Sequence, residues 1–242
     1  MHHLNYQENG ATIGKLSLQP MSWFSRLRLA SVKVLITTAD TPDRRRAETL
    51  IKRIYQKVHD ASITVQYPVL ISIENHQKEL IAALGYRPAH HGPLFLEHYL
   101  SGPIEEILHT PRARIVEIGN LASTDSSASL FLFIALCAYL HHQEFTQAVI
   151  TCSNKLEARF KAMGLAPQRL TAAKPHNLLH TENTQSIHHT SSVHTKKQDY
   201  WGHYYRSNPH VLSGSVTQGF QHLQHRLGAD YKSYTQPYRK NQ

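Results

Sequence analysis

Cysteine is nearly missing from this 242-residue chain, which has two: Cys137 inside an apolar run and Cys152 at the end of another. Two thiols so placed make no disulfide framework and point to a reducing compartment, the cytoplasm. Long apolar runs are missing too. The longest, "LFLFIALCAYL" at 130–140, is too short to span a bilayer. The start, "MHHLNYQENG", has neither the basic nor the apolar stretch of a secretion signal. Acidic residues are scarce beside basic ones, 17 against 26, for a formal charge of +9. That excess suits an anionic partner: nucleic acid, lipid or an acidic protein. The basic residues form no recognisable DNA- or RNA-binding motif, so nucleic acid is not expected, and a solvated surface also accounts for scattered charge. No Ser-His-Asp set, phosphate loop or dinucleotide fingerprint is present. The chain has 19 histidines, but His188, His189 and His194 lie in polar low-complexity sequence without Cys or carboxylates at ligand spacing. His90-His91 and His141-His142 are weaker still, so no metal site is expected.

What is present alternates between strand and helix patterns. "SVKVLITTA" (31–39) alternates Val32, Val34 and Ile36 as a strand does. Thr41 can then cap a helix whose first residue is Pro42. Ala47, Leu50, Ile51, Ile54, Tyr55 and Val58 follow at helical spacing, with Arg44, Arg45, Arg46, Lys52, Arg53 and Lys57 on the opposite face. Residues 67–89 read as two strands around a polar turn at 75–77. An extended entry and a short helix begun by Pro103 come next, then a buried strand over 113–122. A polar loop, "STDSSAS", leads into 129–142, apolar on every face and therefore a buried helix. "QAVITC" (147–152) is another buried strand, and 154–164 another helix, stopped by Gly164. Strand character is expected on both sides of Asn208-Pro209, and Val216 to Leu227 is amphipathic. The expected organisation is a loose N-terminal extension over 1–30 and one domain over 31–220. Within that domain 171–199 is a long His-rich polar excursion, and 221–242 is a basic tail.

The segments "GYRPA..GPLFLEHYL", "PIEEIL", "RARIVEIGNLAS", "KLEARFKAMGLAP" and "WGHYY" resemble the signature segments of the thermostable hemolysin family, over about residues 33 to 220. The order of elements is similar to the GCN5-related N-acetyltransferase (GNAT) fold. The resemblance implies a single α/β (α+β) domain: a central mixed, twisted sheet flanked by helices. More distantly, Arg87-Pro88, Pro93-Leu94 and Glu117 match places in the acyl-homoserine-lactone synthases, where an arginine stands in place of Asn120. An amide cannot pair a carboxylate as a guanidinium does, so the resemblance implies an acyl-transfer fold and leaves the acceptor open. The implied activity is acyl transfer from a thioester, carried by acyl carrier protein or coenzyme A as co-substrate, to a small-molecule amine. No tightly bound cofactor is implied.

The resemblance assigns Glu117 and Asn120 to the catalytic centre. Glu117 would take the amine's proton or bind the ammonium, because a carboxylate in an apolar strand is raised in pKa. Its bland reading is an ion pair with Arg87, Arg112 or Arg114. Gly119 and Asn120 break the strand, and a bulge there would splay two strands and free backbone N–H groups of Gly119, Leu121, Ala122 and Ser123 for a pantetheine arm and a thioester oxygen. Ser126 and Ser127 could hold an anion at a helix N-terminus or simply cap it. Arg87 could clamp a carboxylate or phosphate, or pair with Glu97 or Glu117. Tyr55 and Tyr67 would lie near the acceptor entrance, and Trp201 with Tyr204 and Tyr205 could wall an acyl pocket; packing explains these aromatics equally well. A rival reading is a membrane-active hemolysin that binds anionic lipid through "MSWFSRLRLASVKVLI" (21–36).

Overall fold

The computed structural model describes residues 2–19, 32–38, 41–178 and 200–235. Among the described residues, ten strands form one mixed sheet. They are β1 His2–Glu8, β2 Ala11–Leu18, β3 Val32–Thr37, β4 Val69–Glu74, β5 Leu80–Pro88, β6 Ile115–Ser123, β7 Gln147–Cys152, β8 Gln168–Ala172, β9 His210–Ser215 and β10 Asp230–Ser233. Their order is β10-β2-β1-β3-β4-β5-β6-β7-β9-β8. The pairs β1–β3 and β6–β7 are parallel and the rest antiparallel. Among the described residues the helices are α1 Pro42–His59, α2 Ile104–Leu108, α3 Ser126–His142, α4 Asn154–Ala162 and α5 Val216–Leu227.

The local grammar explains the helices. Thr41 Oγ1 accepts from Arg44 N at 3.2 Å, Pro42 opens α1, and Asp60 in the left-handed region closes it. On α3, eleven of the seventeen residues are buried. That helix therefore forms the main core on one face of the sheet, with Phe131, Leu132, Leu136 and Leu140 against Val34, Ile71, Leu84, Val116 and Ile118. On the other face α1 buries Ala47, Leu50, Ile51 and Tyr55 against Leu70, Ala83 and Ala122. The two layers give the sheet a covered middle, and the site lies on the α1 side.

The ends of the chain correct the sequence reading. Far from being a loose extension, residues 2–18 are a hairpin inside the sheet; residues 20–31, and with them most of the suggested lipid-binding segment, lie outside the described residues. Asn9 (φ 49°) and Gly10 (φ 79°) form the two-residue turn, and both positive angles are what a primed hairpin turn requires. Leu4, Tyr6, Ile13, Leu16 and Leu18 point into the core. The Tyr6 hydroxyl donates to the Ala135 carbonyl at 2.8 Å. At the other end, α5 and β10 belong to the fold, and β10 pairs β2. Strand β8, opening at Gln168, runs into the segment read as an excursion, while residues 201–207 are a turn and a short 3-10 helix instead of a strand. His188, His189 and His194 lie outside the described residues, as do 236–242.

A chain that begins at residue 20 tests the N-terminal correction. It loses five buried apolar side chains, each contributing about 1.5–3 kcal/mol, against a total stability of about 5–15 kcal/mol for a domain. Cooperative thermal unfolding should vanish; an unchanged melting temperature would mean the hairpin is dispensable.

Candidate functional site

The site is built where β6 leaves β7. The two run parallel from the pair Ile115–Gln147 to Ile118–Ile150. Beyond that point β7 stays with β9 to Cys152–His210, and β6 stays with β5 to Ser123. The splay expected where Gly119 and Asn120 break the strand therefore begins directly after Ile118. Between Ala83–Ala122 and Gly85–Gly119, two steps on β5 meet three on β6, so the bulge lies at Asn120 and Leu121. The positive φ it needs, 53°, is carried by Asn120 and not by Gly119. Asn is a side chain that tolerates the left-handed region.

Gly119 has a different reason to be glycine. It stands opposite Gly85, and Tyr67 lies across both: a Cβ on either would overlap the tyrosine. Two glycines facing each other make a flat floor for one aromatic ring. Burial and the nearby Glu117 push the Tyr67 phenol well above its usual pKa, so it stays a neutral hydroxyl. The Arg87 guanidinium sits 5.7 Å from the ring centroid.

Glu117 shares this face and is 2% exposed. Its Oε2 accepts from Phe95 N at 3.0 Å and its Oε1 from Leu96 N at 2.9 Å. Desolvation raises its pKa to about 6, although both backbone bonds pull the other way. Each oxygen retains lone-pair capacity for a further donor. The ion pairs weighed for it are not the ones formed. Arg112 pairs with Glu97 and Glu105, Arg114 with Glu144, and Arg87 donates to the carbonyls of Pro93 and Gln66. Glu97 is the organiser of the turn that presents those amides. It accepts from Leu94 N at 2.7 Å, Ile104 N at 3.0 Å and Arg112 Nη1 at 2.7 Å. Burial alone would raise its pKa, but these donors lower it overall.

Aromatic rings close the face. Trp201 lies 5.7 Å from Phe95 and 5.6 Å from Tyr204, and Tyr204 stacks on Tyr55 at 6.4 Å. The Tyr204 hydroxyl donates to the Thr151 carbonyl at 3.1 Å, on β7 just past the parting. Thr151 Oγ1 is itself buried without a partner. Tyr99 and Tyr205 share a hydroxyl bond of 2.6 Å. The loop carrying Trp201 is pinned to the end of α1: His203 N donates to the His59 carbonyl at 2.6 Å, and Gly202 (φ 48°) abuts the His59 and Asp60 carbonyls, where no side chain fits.

Sequence reasoning singled out Glu117, Gly119, Asn120, Arg87, Tyr55, Tyr67 and Trp201, and the structure brings them near one another on the α1 side of the sheet. It missed Phe95 and Leu96, whose contribution is a backbone N–H that no side-chain signal announces, and Thr151. The proposed donor cradle fares differently. Leu121 packs on the opposite face and Ala122 is buried beneath α1, so only their backbones could serve. At the α3 terminus, Asp125 Oδ1 accepts from Ser127 N at 2.7 Å and Ala128 N at 2.9 Å. A carboxylate holds the place that an anion would take beside Ser126 and Ser127. Among the described residues no three His, Cys, Asp or Glu converge on a metal position, and no helix is long and apolar enough to cross a membrane.

The family model described as thermostable hemolysin matches residues 37–186. No curated protein matches the chain in sequence. Among solved structures, TofI in an apo form is 14% identical, with 79% of this chain and 95% of TofI covered at a TM-score of 0.52. BjaI, a CoA-dependent acyl-homoserine lactone synthase with SAM and isopentyl-CoA, is 12% identical, with 82% and 90% covered at a TM-score of 0.53. At these identities the likeness is one of fold, and it agrees with the mixed, helix-flanked sheet expected from the GNAT resemblance.

The carboxyl predicts a pH effect with a definite sign. Glu117 titrates at about 6 when folded and at 4.5 when not. It therefore contributes stability that is present below pH 4.5 and lost as pH rises through 6, by roughly 2 kcal/mol. Denaturant unfolding from pH 4 to 7.5 should show a flatter curve for Glu117→Gln by that amount; parallel curves would mean an ordinary carboxyl. The floor makes a second prediction. Gly119→Ala should destabilise by about 1–3 kcal/mol through overpacking, and Tyr67→Ala should suppress most of that penalty in the double variant.

Proposed function

The chain belongs to the thermostable hemolysin family, and from its site we propose that it is an N-acyltransferase that moves an acyl group from a thioester to an amine. The parting of β6 and β7 beside a buried, elevated-pKa carboxylate carries this reading. The thioester enters the gap, with its carbonyl oxygen toward backbone N–H groups of β6 that β7 has released. Glu117 receives the proton of the incoming ammonium, a task matched by a pKa of about 6. Asn120 orients the bulge, and Tyr67 gives the site a neutral donor. The nitrogen then attacks the carbonyl carbon, the C–S bond breaks, and the second proton leaves with the thiol.

The donor is acyl carrier protein or coenzyme A, and the charge favours the carrier. Arg45, Lys52, Arg53 and Lys57 are exposed along α1. Arg44 and Arg46 are already engaged in ion pairs, with Glu48 and with Asp43 and Glu74. The occupied α3 terminus disfavours the pyrophosphate of coenzyme A, whereas a carrier brings a single phosphate and a strongly acidic surface.

Two experiments test this reading. Glu117→Gln should lower turnover by about 10²–10⁴-fold, measured as thiol release, while far-UV circular dichroism stays native; wild-type turnover would leave Glu117 a purely structural anchor for Phe95 and Leu96. Reversing Arg45 and Lys52 to Glu should raise the KM for carrier-bound donor and leave a short soluble thioester unaffected. Equal losses with both donors would sink the carrier.

A further inference from the structure

Arg87 and Glu117 are direct cross-strand neighbours in the β5–β6 ladder and share one face. Side chains so placed start about 5 Å apart, and opposite charges there ordinarily pair. These two do not come within the 4.0 Å of an ion pair, although Arg112 and Arg114 each find a carboxylate nearby. The backbone holds them apart instead. Glu117 is turned to the amides of Phe95 and Leu96, and Arg87 to the carbonyls of Pro93 and Gln66 at 3.3 and 3.2 Å. Arg87 is half-buried, and those two long bonds to neutral acceptors use two of its five N–H groups. The result is a cation and an anion kept separate, both with bonding capacity left, side by side in the ladder and next to the Tyr67 ring.

We propose that this split pair recognises a zwitterion: the acceptor is an α-amino acid with a free carboxylate, its carboxylate on Arg87 and its amino group on Glu117. The identification of the reaction rests on the acyl-transfer reading; recognition of the acceptor does not. Such a ligand supplies each buried charge with its complement and adds no net charge to the site. Phe95, one of Glu117's partners, lies against Trp201, which in turn lies against Tyr204, and this run of rings fits an apolar or aromatic side chain. In the transfer, the ammonium gives one proton to Glu117, the nitrogen bonds to the thioester carbon, the C–S bond breaks, and the remaining proton goes to the thiolate. The product is an N-acyl amino acid. Its amide nitrogen no longer carries charge for Glu117, so the product loses half of its grip on the site.

Calorimetry on the full chain without any donor tests recognition apart from turnover. The probes are L-leucine, L-methionine and L-phenylalanine, each compared with its amide and with the corresponding decarboxylated amine. At least one amino acid should bind about 10- to 100-fold tighter than its amide or amine, the value of a charge-assisted contact. Arg87→Gln should bring that amino acid down to the level of its amide and leave the affinity of the amide unchanged. Equal affinity for acid, amide and amine would overturn the proposal, as would no binding of any probe. Acylation of the plain amines at the rate of the amino acids would also overturn it while leaving the acyl-transfer reading intact. Failure of every acyl transfer with amino-acid binding intact would do the reverse.

Discussion

A carboxylate buried in the middle of a sheet must find donors or lose its charge, and the arrangement around Glu117 follows from that need. The donors come from the backbone of Phe95 and Leu96. Those amides are available because the 93–104 segment is folded around a second carboxylate, Glu97, with Arg112 as its clamp. The inner carboxylate is left without an ion pair, and burial raises its pKa while the outer one's falls. Two glutamates twenty residues apart therefore acquire opposite electrostatic characters, one set by burial and the other by its charged partner and backbone donors.

The gap between β6 and β7 depends on the same strand. Pairing with β7 ends at Ile118, and the bulge at Asn120 shifts the rest of β6 onto a new alternation, so that Leu121 falls on the face of Ile118 and Ala122 on that of Gly119. Tyr67 fits only because Gly85 and Gly119 form its floor. Covering that floor brings Arg87, Tyr67 and Glu117 into one field. The aromatic loop at 200–207 completes the enclosure from a distant part of the chain, tied to α1 through backbone bonds and Gly202.

The helices were legible because each carried redundant local signals: Thr41 and Pro42 for α1, unbroken apolarity for α3, Gly164 after α4. The hairpin of β1 and β2 was not, since only Leu4 and Tyr6 mark β1 as half-buried and the Asn9-Gly10 turn sits in a polar context. Its stability comes from neighbours far along the chain, β3 and β10. Strand β8 was lost for a related reason: its residues are half-exposed at the edge of the sheet, so they show little alternation.

Residue types alone determined the α/β order of the chain, its family resemblance and the strand break next to an apolar-flanked glutamate, because these depend on local periodicity and on which side chains tolerate burial or positive φ. Tertiary structure decided what the break is for. Which residue bears the positive φ, which amides hold Glu117, why Arg87 and Glu117 stay apart although they are register neighbours, and why Asp125 closes the α3 terminus are all questions of which backbone group reaches which side chain. Backbone donors are the same at every residue. No pattern of letters can reveal where they point until the chain has folded.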